Sequence, residues 1–234
     1  MGIFYIDTEY TNGNFYLGDI FEIACLSEDS GYIFHSYINI ECTIPHYVKG
    51  LCNVSDEKIK SSPSFYEVMN GVIEFINAQE SQPPIKIISH GGYLFDFPLL
   101  FTNCMRNRFD YTWFEKCEFI DSVKELQQLG YRKPGLDSFA PPHRIHSAAG
   151  DVELLREISN KLLRSQNLNI YTLGDIMQYI HIKMPISITE LQVVANTKTF
   201  QYLEALLYKL CAANTALNTK QVEKIARYYF NYRR

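Results

Sequence analysis

The chain has no uncharged stretch long enough for a helix to cross a bilayer. Its longest run without Asp, Glu, Lys or Arg is eleven residues, 30–40, against the roughly 20 that a spanning helix needs. It has no CxxC pair either. Six cysteines, at 25, 42, 52, 104, 117 and 211, stand far apart and mostly in apolar stretches, so reduced, buried thiols are expected rather than a zinc knuckle or a disulfide framework. No basic leader precedes the acid in Met1-Gly2-Ile3-Phe4-Tyr5-Ile6-Asp7, so no secretory signal is expected, and the location should be intracellular, cytoplasmic or nuclear. Internal repeats and low-complexity linkers are absent. So is any excess of positive charge: 22 Lys and Arg stand against 26 Asp and Glu, a net charge of −4. Binding duplex phosphate by counterion release needs clustered cations. If this protein handles nucleic acid, something other than bulk charge must hold the phosphate.

What is present reads as a folded globular chain. Its 234 residues are 47% apolar and 21% charged, enough for one sizeable core with an appendage. The charge divides unevenly. Residues 1–164 carry 14 basic against 22 acidic side chains, whereas 165–234 carry 8 against 4. Two units follow, a main domain over 1–165 and a helical C-terminal extension over 166–234 whose role the sequence leaves open.

Periodicity supplies the element order. Short β-branched and aromatic runs predict strands over 3–6, 21–26 and 32–40, an antiparallel meander whose first strand ends at Asp7. Apolar residues at three- and four-residue spacing predict a helix over 64–77, opened by Ser and Pro. A buried strand over 85–89, a helix over 97–107, a short strand over 118–121, a helix over 123–129 and a long helix over 150–163 follow. This order argues for a mixed α/β sheet with helices on its faces. Beyond 165 the pattern is helical, around 173–182, 199–213 and 219–229.

Three segments could carry chemistry. In Asp7-Thr8-Glu9 strand alternation puts both carboxylates on one face, about 7 Å apart at Cα, where they could share a hard cation such as Mg²⁺; a solvated loop is the plain alternative. In His90-Gly91-Gly92-Tyr93-Leu94-Phe95-Asp96-Phe97-Pro98-Leu99-Leu100 a strand runs into two glycines and an acid before a helix. That either opens the backbone to a ligand or makes Asp96 a simple helix cap. In His146-Ser147-Ala148-Ala149-Gly150-Asp151-Val152 small residues separate an imidazole from a carboxylate, so the two could meet; a surface loop ahead of a helix is the alternative.

Taken together, the segments resemble the ExoI, ExoII and ExoIII motifs of the DEDDh (DnaQ-like, RNase T-like) 3'→5' exonuclease superfamily. All five signature residues occur in order: Asp7, Glu9, Asp96, His146 and Asp151. Asp96-Phe97-Pro98-Leu99-Leu100 and His146 to Val152 look most like the TREX-like branch. The resemblance covers roughly 1–165 and implies an RNase H-like fold with a mixed five-stranded sheet. It implies two Mg²⁺ ions, with Mn²⁺ as an alternative, clamping the scissile phosphate; of the metal ligands Asp7, Glu9, Asp96 and Asp151, Asp7 would serve both ions, Glu9 and Asp151 would complete the one that holds the water, and Asp96 would support the site directly or through water. His146 would take the proton of the attacking water, with His143 a rival by proximity. Thr8, Tyr10, His90, Gly91 and Phe95 would meet the substrate, a single-stranded or frayed 3' end of DNA or RNA. A homodimer follows by the same analogy.

Three departures stand out. The Gly-Leu pair that follows ExoI in many relatives is replaced by Tyr10-Thr11-Asn12-Gly13, His90 is followed by Gly91 rather than Asn, and a proline-rich insertion is missing. Basic and aromatic residues interleave at 227–234, with Lys220 and Lys224 one turn apart ahead of them. This is either a nucleic-acid surface or a docked last helix with a solvated end. Two rival functions share the motifs: a catalytically idle exonuclease fold used as an interaction module, and a phosphodiesterase for small nucleotides. Retention of every acid and the histidine argues against the first.

Overall fold

The structure, a computed structural model, describes residues 2–13, 15, 18–79, 82–132, 134–139, 146–163 and 168–183. Five strands form one mixed sheet in the order β3-β2-β1-β4-β5. In chain order the elements are β1 (Ile3–Tyr10), β2 (Ile20–Ser27), β3 (Ile33–Tyr37), α1 (His46–Cys52), α2 (Asp56–Lys60), α3 (Phe65–Ala78), β4 (Ile85–Ser89), α4 (Asp96–Arg106), β5 (Cys117–Asp121), α5 (Ser122–Gln128), α6 (Ala148–Ile158) and α7 (Leu173–Lys183). β1, β2 and β3 pair antiparallel, while β1, β4 and β5 run parallel. This is the RNase H-like arrangement expected from the sequence.

Strand alternation sorts the core into two layers. Phe4 and Ile6 of β1, with Ile85 and Ile87 of β4, pack under α3, α4 and α7. Tyr5 of β1, Ala24 and Leu26 of β2 and Ile88 of β4 face the other way, onto Ala148, Val152 and Leu155 of α6. The period of two thus decides which residues reach α6, and Asp7 and Glu9 continue the Tyr5 side toward it. α3 starts on a reciprocal cap: Ser64 accepts from Glu67 N–H, and the Glu67 side chain returns to Ser64 N–H. Such a cap contributes about 1 kcal/mol.

The differences from the sequence reading are local. β1 does not end at Asp7 but runs on to Tyr10, because the pairing with β2 continues through Thr8 and Glu9, and β3 is shorter than 32–40, because Ile38 leaves the ladder to donate to Phe21 C=O. The helix expected over 150–163 begins at Ala148 and ends at Ile158, with a π-helical turn over Ser159–Leu163. α1 and α2, seven and five residues long, were not expected; they close a small core of Phe21, Ile44, Val48, Cys52, Val54 and Ile59. The described part of the extension joins the main core: Leu173, Ile176 and Ile180 of α7 are buried there, and Tyr171 exchanges main-chain hydrogen bonds with Phe119 of β5. The helices expected over 199–213 and 219–229, the basic aromatic terminus and His143 lie outside the described residues. Cys25, Cys52, Cys104 and Cys117 are buried, Cys42 is half-buried, and none of the five is paired. Among the described residues no helix is long and apolar enough to cross a membrane.

Candidate active site

The C-terminal end of β1 gathers the acids. Asp7 lies opposite Ala24 of β2 and Glu9 opposite Glu22, after which a register shift ends the regular pairing. From the α6 side comes Asp151. Ser147 caps that helix, its hydroxyl accepting Gly150 N–H at 3.2 Å, which sets Asp151 in the first turn. Asp7, Glu9 and Asp151 each bring one carboxylate oxygen within 4.8 Å of the others.

Asp96 stands beside this trio rather than in it. It is 5% exposed and enters from the α4 side of the sheet. One of its oxygens accepts Thr8 Oγ1–H at 2.6 Å and the other Ser89 Oγ–H at 2.7 Å. It is therefore not a free helix cap but a carboxyl anchored to β1 and β4. His146 adjoins through its main chain: its N–H donates to Asp151 Oδ2 at 3.2 Å, while the residue itself is exposed. It holds φ at 70°, a left-handed conformation that costs energy for a residue with a Cβ and concentrates at functional sites.

The crowding is electrostatically unfavourable as it stands. Burial, then Asp96, Asp151, Glu9 and Glu22, hold the Asp7 carboxyl well above its ordinary range. Burial raises Glu9 to about 7, against the pull of the Cys52 thiol. Asp96 is raised to about 6 by burial despite its two hydroxyl donors, and Asp151 to about 6 by burial despite the His146 N–H. Asp151 Oδ1 is also buried without a hydrogen-bond partner. Oxygen ligands this close, with raised proton affinity and an orphaned acceptor, suit a hard divalent cation, which would relieve all three conditions at once.

Two residues missed in the sequence belong to this environment. Glu22 is fully buried; its Oε1 accepts Ala148 N–H at 3.3 Å and lies 2.8 Å from His35 Nε2, while Oε2 is unpartnered. It thereby ties β2 to the start of α6 beside the acid trio. Its place opposite Glu9 in the register was the only available signal. Cys52 donates its S–H to Glu9 Oε2 at 3.3 Å, a contact that depends on the unexpected α1.

The residues expected to meet substrate are differently disposed. Phe95 is exposed on the turn before α4, next to equally exposed Leu94. Thr8 is buried with its hydroxyl on Asp96, and Gly91 is buried with its N–H on Asp121 Oδ1 at 3.0 Å. Gly91 needs its freedom, since φ is +77°, and a Cβ on Gly92 would come within 2.7 Å of the Phe97 ring and of Ser89. His90 is half-buried with Nδ1 2.8 Å from Ser122 Oγ. Burial lowers its pKa to about 4, so the ring is neutral at pH 7. Tyr10 is half-buried against the main core.

No family model matches the sequence, and no curated protein does. Solved structures do resemble it. The nuclease domain of 3'hExo, a DEDDh family member bound to rAMP, superposes with a TM-score of 0.59 at 19% identity, covering 73% of this chain and 96% of that domain. A full-length 3'-exonuclease gives 0.59 at 19%, covering 72% of this chain and 62% of its own. Cell-death related nuclease 4 (CRN-4) gives 0.58 at 10%, with 73% and 66% covered. The fold is that of DEDDh 3'-exonuclease nuclease domains.

Proposed function

We propose that the chain is a metal-dependent 3'→5' exonuclease of the DEDDh superfamily, releasing nucleoside 5'-monophosphates from single-stranded or frayed 3' ends. The observation that carries this reading is the meeting of Asp7, Glu9 and Asp151 within 4.8 Å. Two Mg²⁺ ions, or Mn²⁺, held by these acids with Asp96 in support, would supply the positive charge the chain lacks and lower the pKa of a bound water. We assign His146 the role of base for that water, since it is solvent-facing and joined to Asp151. Asp96 fixes the end of β1 through Thr8, so that Asp7 and Glu9 hold their spacing. Phe95 offers an exposed aromatic face for the terminal base; Tyr10, His90 and the main chain at Thr8 and Gly91 would shape the space around it.

The TREX-like wording of ExoII and ExoIII favours DNA. Two solved neighbours lean the other way for themselves, one bound to rAMP and one capturing 3'-end specific recognition of a histone mRNA stem-loop. No described residue identifies itself as a sensor of the 2'-hydroxyl. The deciding experiment digests 3'-free and 3'-blocked DNA and RNA oligonucleotides side by side with Mg²⁺, Mn²⁺ or a chelator. Stepwise loss from free 3' ends, dependent on metal, is expected. Binding of ends without shortening in either metal would leave an idle interaction module, and cleavage confined to dinucleotides a small-nucleotide phosphodiesterase. Light scattering on the same preparation tests the homodimer, and the unpaired thiols support a cytoplasmic or nuclear location.

A further inference from the structure

A strand entering the site meets a wall of carboxyl groups, so its phosphates need a positive anchor nearby. The described residues offer one at the start of α5. Lys124 Nζ lies 3.6 Å from the ring centroid of Tyr93 and 4.5 Å from that of Tyr171, and donates to Tyr171 Oη at 2.9 Å. Among the described residues no carboxylate forms an ion pair with it. Its nearest acidic neighbour in sequence outside the helix, Asp121, spends its oxygens on the N–H groups of Gly91, Tyr93 and Val123. Those three bonds lock the turn at 91–93 to the first turn of α5, which fixes Tyr93 and Lys124 relative to each other. The ammonium is therefore held in place by ring faces and, although the Asp121 carboxylate feels its charge, it is committed to no ion pair with a described carboxylate.

The surroundings match a single strand. Tyr171 stacks on Tyr93 at 4.3 Å with 34° between planes, and Tyr179 of α7 lies 5.0 Å away on the same cluster. Lys183 sits over Tyr179 at 5.9 Å. Tyr93 precedes Asp96 by three residues, at most about 10 Å of chain, or roughly three nucleotides at the 3.4 Å spacing of a stacked strand. Leu94 and Phe95 bridge that interval, 45% and 44% exposed. Aromatic platforms with interleaved cations are how proteins track a single strand without reading its sequence.

We propose that this face, built from the turn at 91–93, the start of α5 and α7, is the track for the substrate strand behind its terminal nucleotide. Lys124, held by the Tyr93 ring, grips a backbone phosphate and exposed Leu94 meets an adjoining base. The proposal rests on the exonuclease reading and gives the described part of the extension a task, since α7 supplies Tyr179.

The test compares the full-length wild type with Lys124→Gln, Lys124→Arg and Tyr93→Leu on a dinucleotide and on a single strand of about ten nucleotides, at low and moderate salt. Lys124→Gln should raise KM on the longer strand roughly threefold to tenfold and flatten its salt dependence by about 0.7 in log–log slope. It should leave the dinucleotide untouched, since nothing that short reaches the track, and Lys124→Arg should restore the wild-type values. Tyr93→Leu should likewise raise KM only on the longer strand. Unchanged KM and slope for Lys124→Gln, or equal losses on both substrates, would overturn the track. If the wild type cleaves neither substrate, the exonuclease reading fails by itself. The track is then judged by fluorescence anisotropy of the same labelled strand, which Lys124→Gln must bind more weakly and with a shallower salt slope.

Discussion

Stripping divalent cations and raising the pH together should loosen this fold, and the site's own carboxyl groups set the size of the effect. Asp96 and Asp151 are raised from 3.8 to about 6, and Glu9 from 4.5 to about 7. In the unfolded chain all three release their protons near pH 4. Between about pH 4 and pH 7 the folded protein therefore binds protons that the unfolded chain has already lost, and stability falls as pH rises through that window. For buried Asp96, a displacement of about 2 in pKa corresponds to about 3 kcal/mol. The groups repel one another, so their contributions do not add, and 3 kcal/mol is the working scale. For a chain of this length it translates into about 6–12 °C in Tm. Carboxylates that accept from nearby backbone N–H groups and hydroxyls work in the opposite sense: Glu67, Asp110 and Asp175 are held low by their hydrogen bonds, and their contribution is lost only as pH falls through and below about 4. The metal-free protein should thus be most stable near pH 4, with stability already falling by pH 5. Mg²⁺ or Mn²⁺ at a hundred times its dissociation constant adds about 2.7 kcal/mol, and because it binds the deprotonated acids, the gain should be larger at pH 8 than at pH 5. Differential scanning fluorimetry with chelator or metal across pH 4.5–8.5 measures both effects. A chelated Tm that stays flat or rises from pH 5 to pH 8, or a metal gain equal at both ends, would refute the reasoning.

Four substitutions test the separate parts. Asp7→Asn should abolish metal-dependent release of mononucleotides while raising the metal-free Tm at pH 8, because it removes the most crowded charge; retained turnover would remove Asp7 from the site. His146→Ala should also abolish turnover, with Tm within about 2 °C of wild type as expected for an exposed side chain, and normal activity in a mononucleotide-release assay would exclude its role as base. Thr8→Val takes a donor from buried Asp96 and should cost about 1–3 kcal/mol in urea unfolding; a loss below that range would mean the 2.6 Å contact contributes little. Glu22→Gln keeps an acceptor for Ala148 N–H but removes a charge beside Asp7, Glu9 and Asp151, so the metal-free pH slope should shrink, and an unchanged slope would detach Glu22 from the cluster.

The sheet was legible because strand and helix periods are long and clean here. β4 falls over the expected residues, and α3 and α4 lie within one residue of theirs at each end. α1 and α2 were not legible, since seven and five residues are too few for a 3.6-residue period to declare itself. That omission carried a chemical consequence, because α1 delivers the Cys52 thiol to Glu9. The three motifs gave the acids, and the meeting of Asp7 and Glu9 with Asp151 follows from strand alternation on β1, which turns both toward the helix whose first turn carries Asp151. The split into an Asp7, Glu9 and Asp151 trio with Asp96 in support came from the family resemblance alone, and no pattern in the residues themselves shows it. It depends on Thr8 and Ser89, two hydroxyls on different strands that no local pattern links to Asp96. The composition shift near 165 has the same limit: charge reports what faces solvent, whereas Leu173, Ile176 and Ile180 enter the main core through an apolar helix face that the charge balance does not see. A boundary in charge need not be a boundary in packing. Truncation at 165 would therefore strip the α4 side of the sheet of three buried side chains, each worth roughly 1.5–3 kcal/mol when fully buried, and should destabilise the five-stranded fold itself, a loss that urea unfolding of the shortened and full chains would register directly.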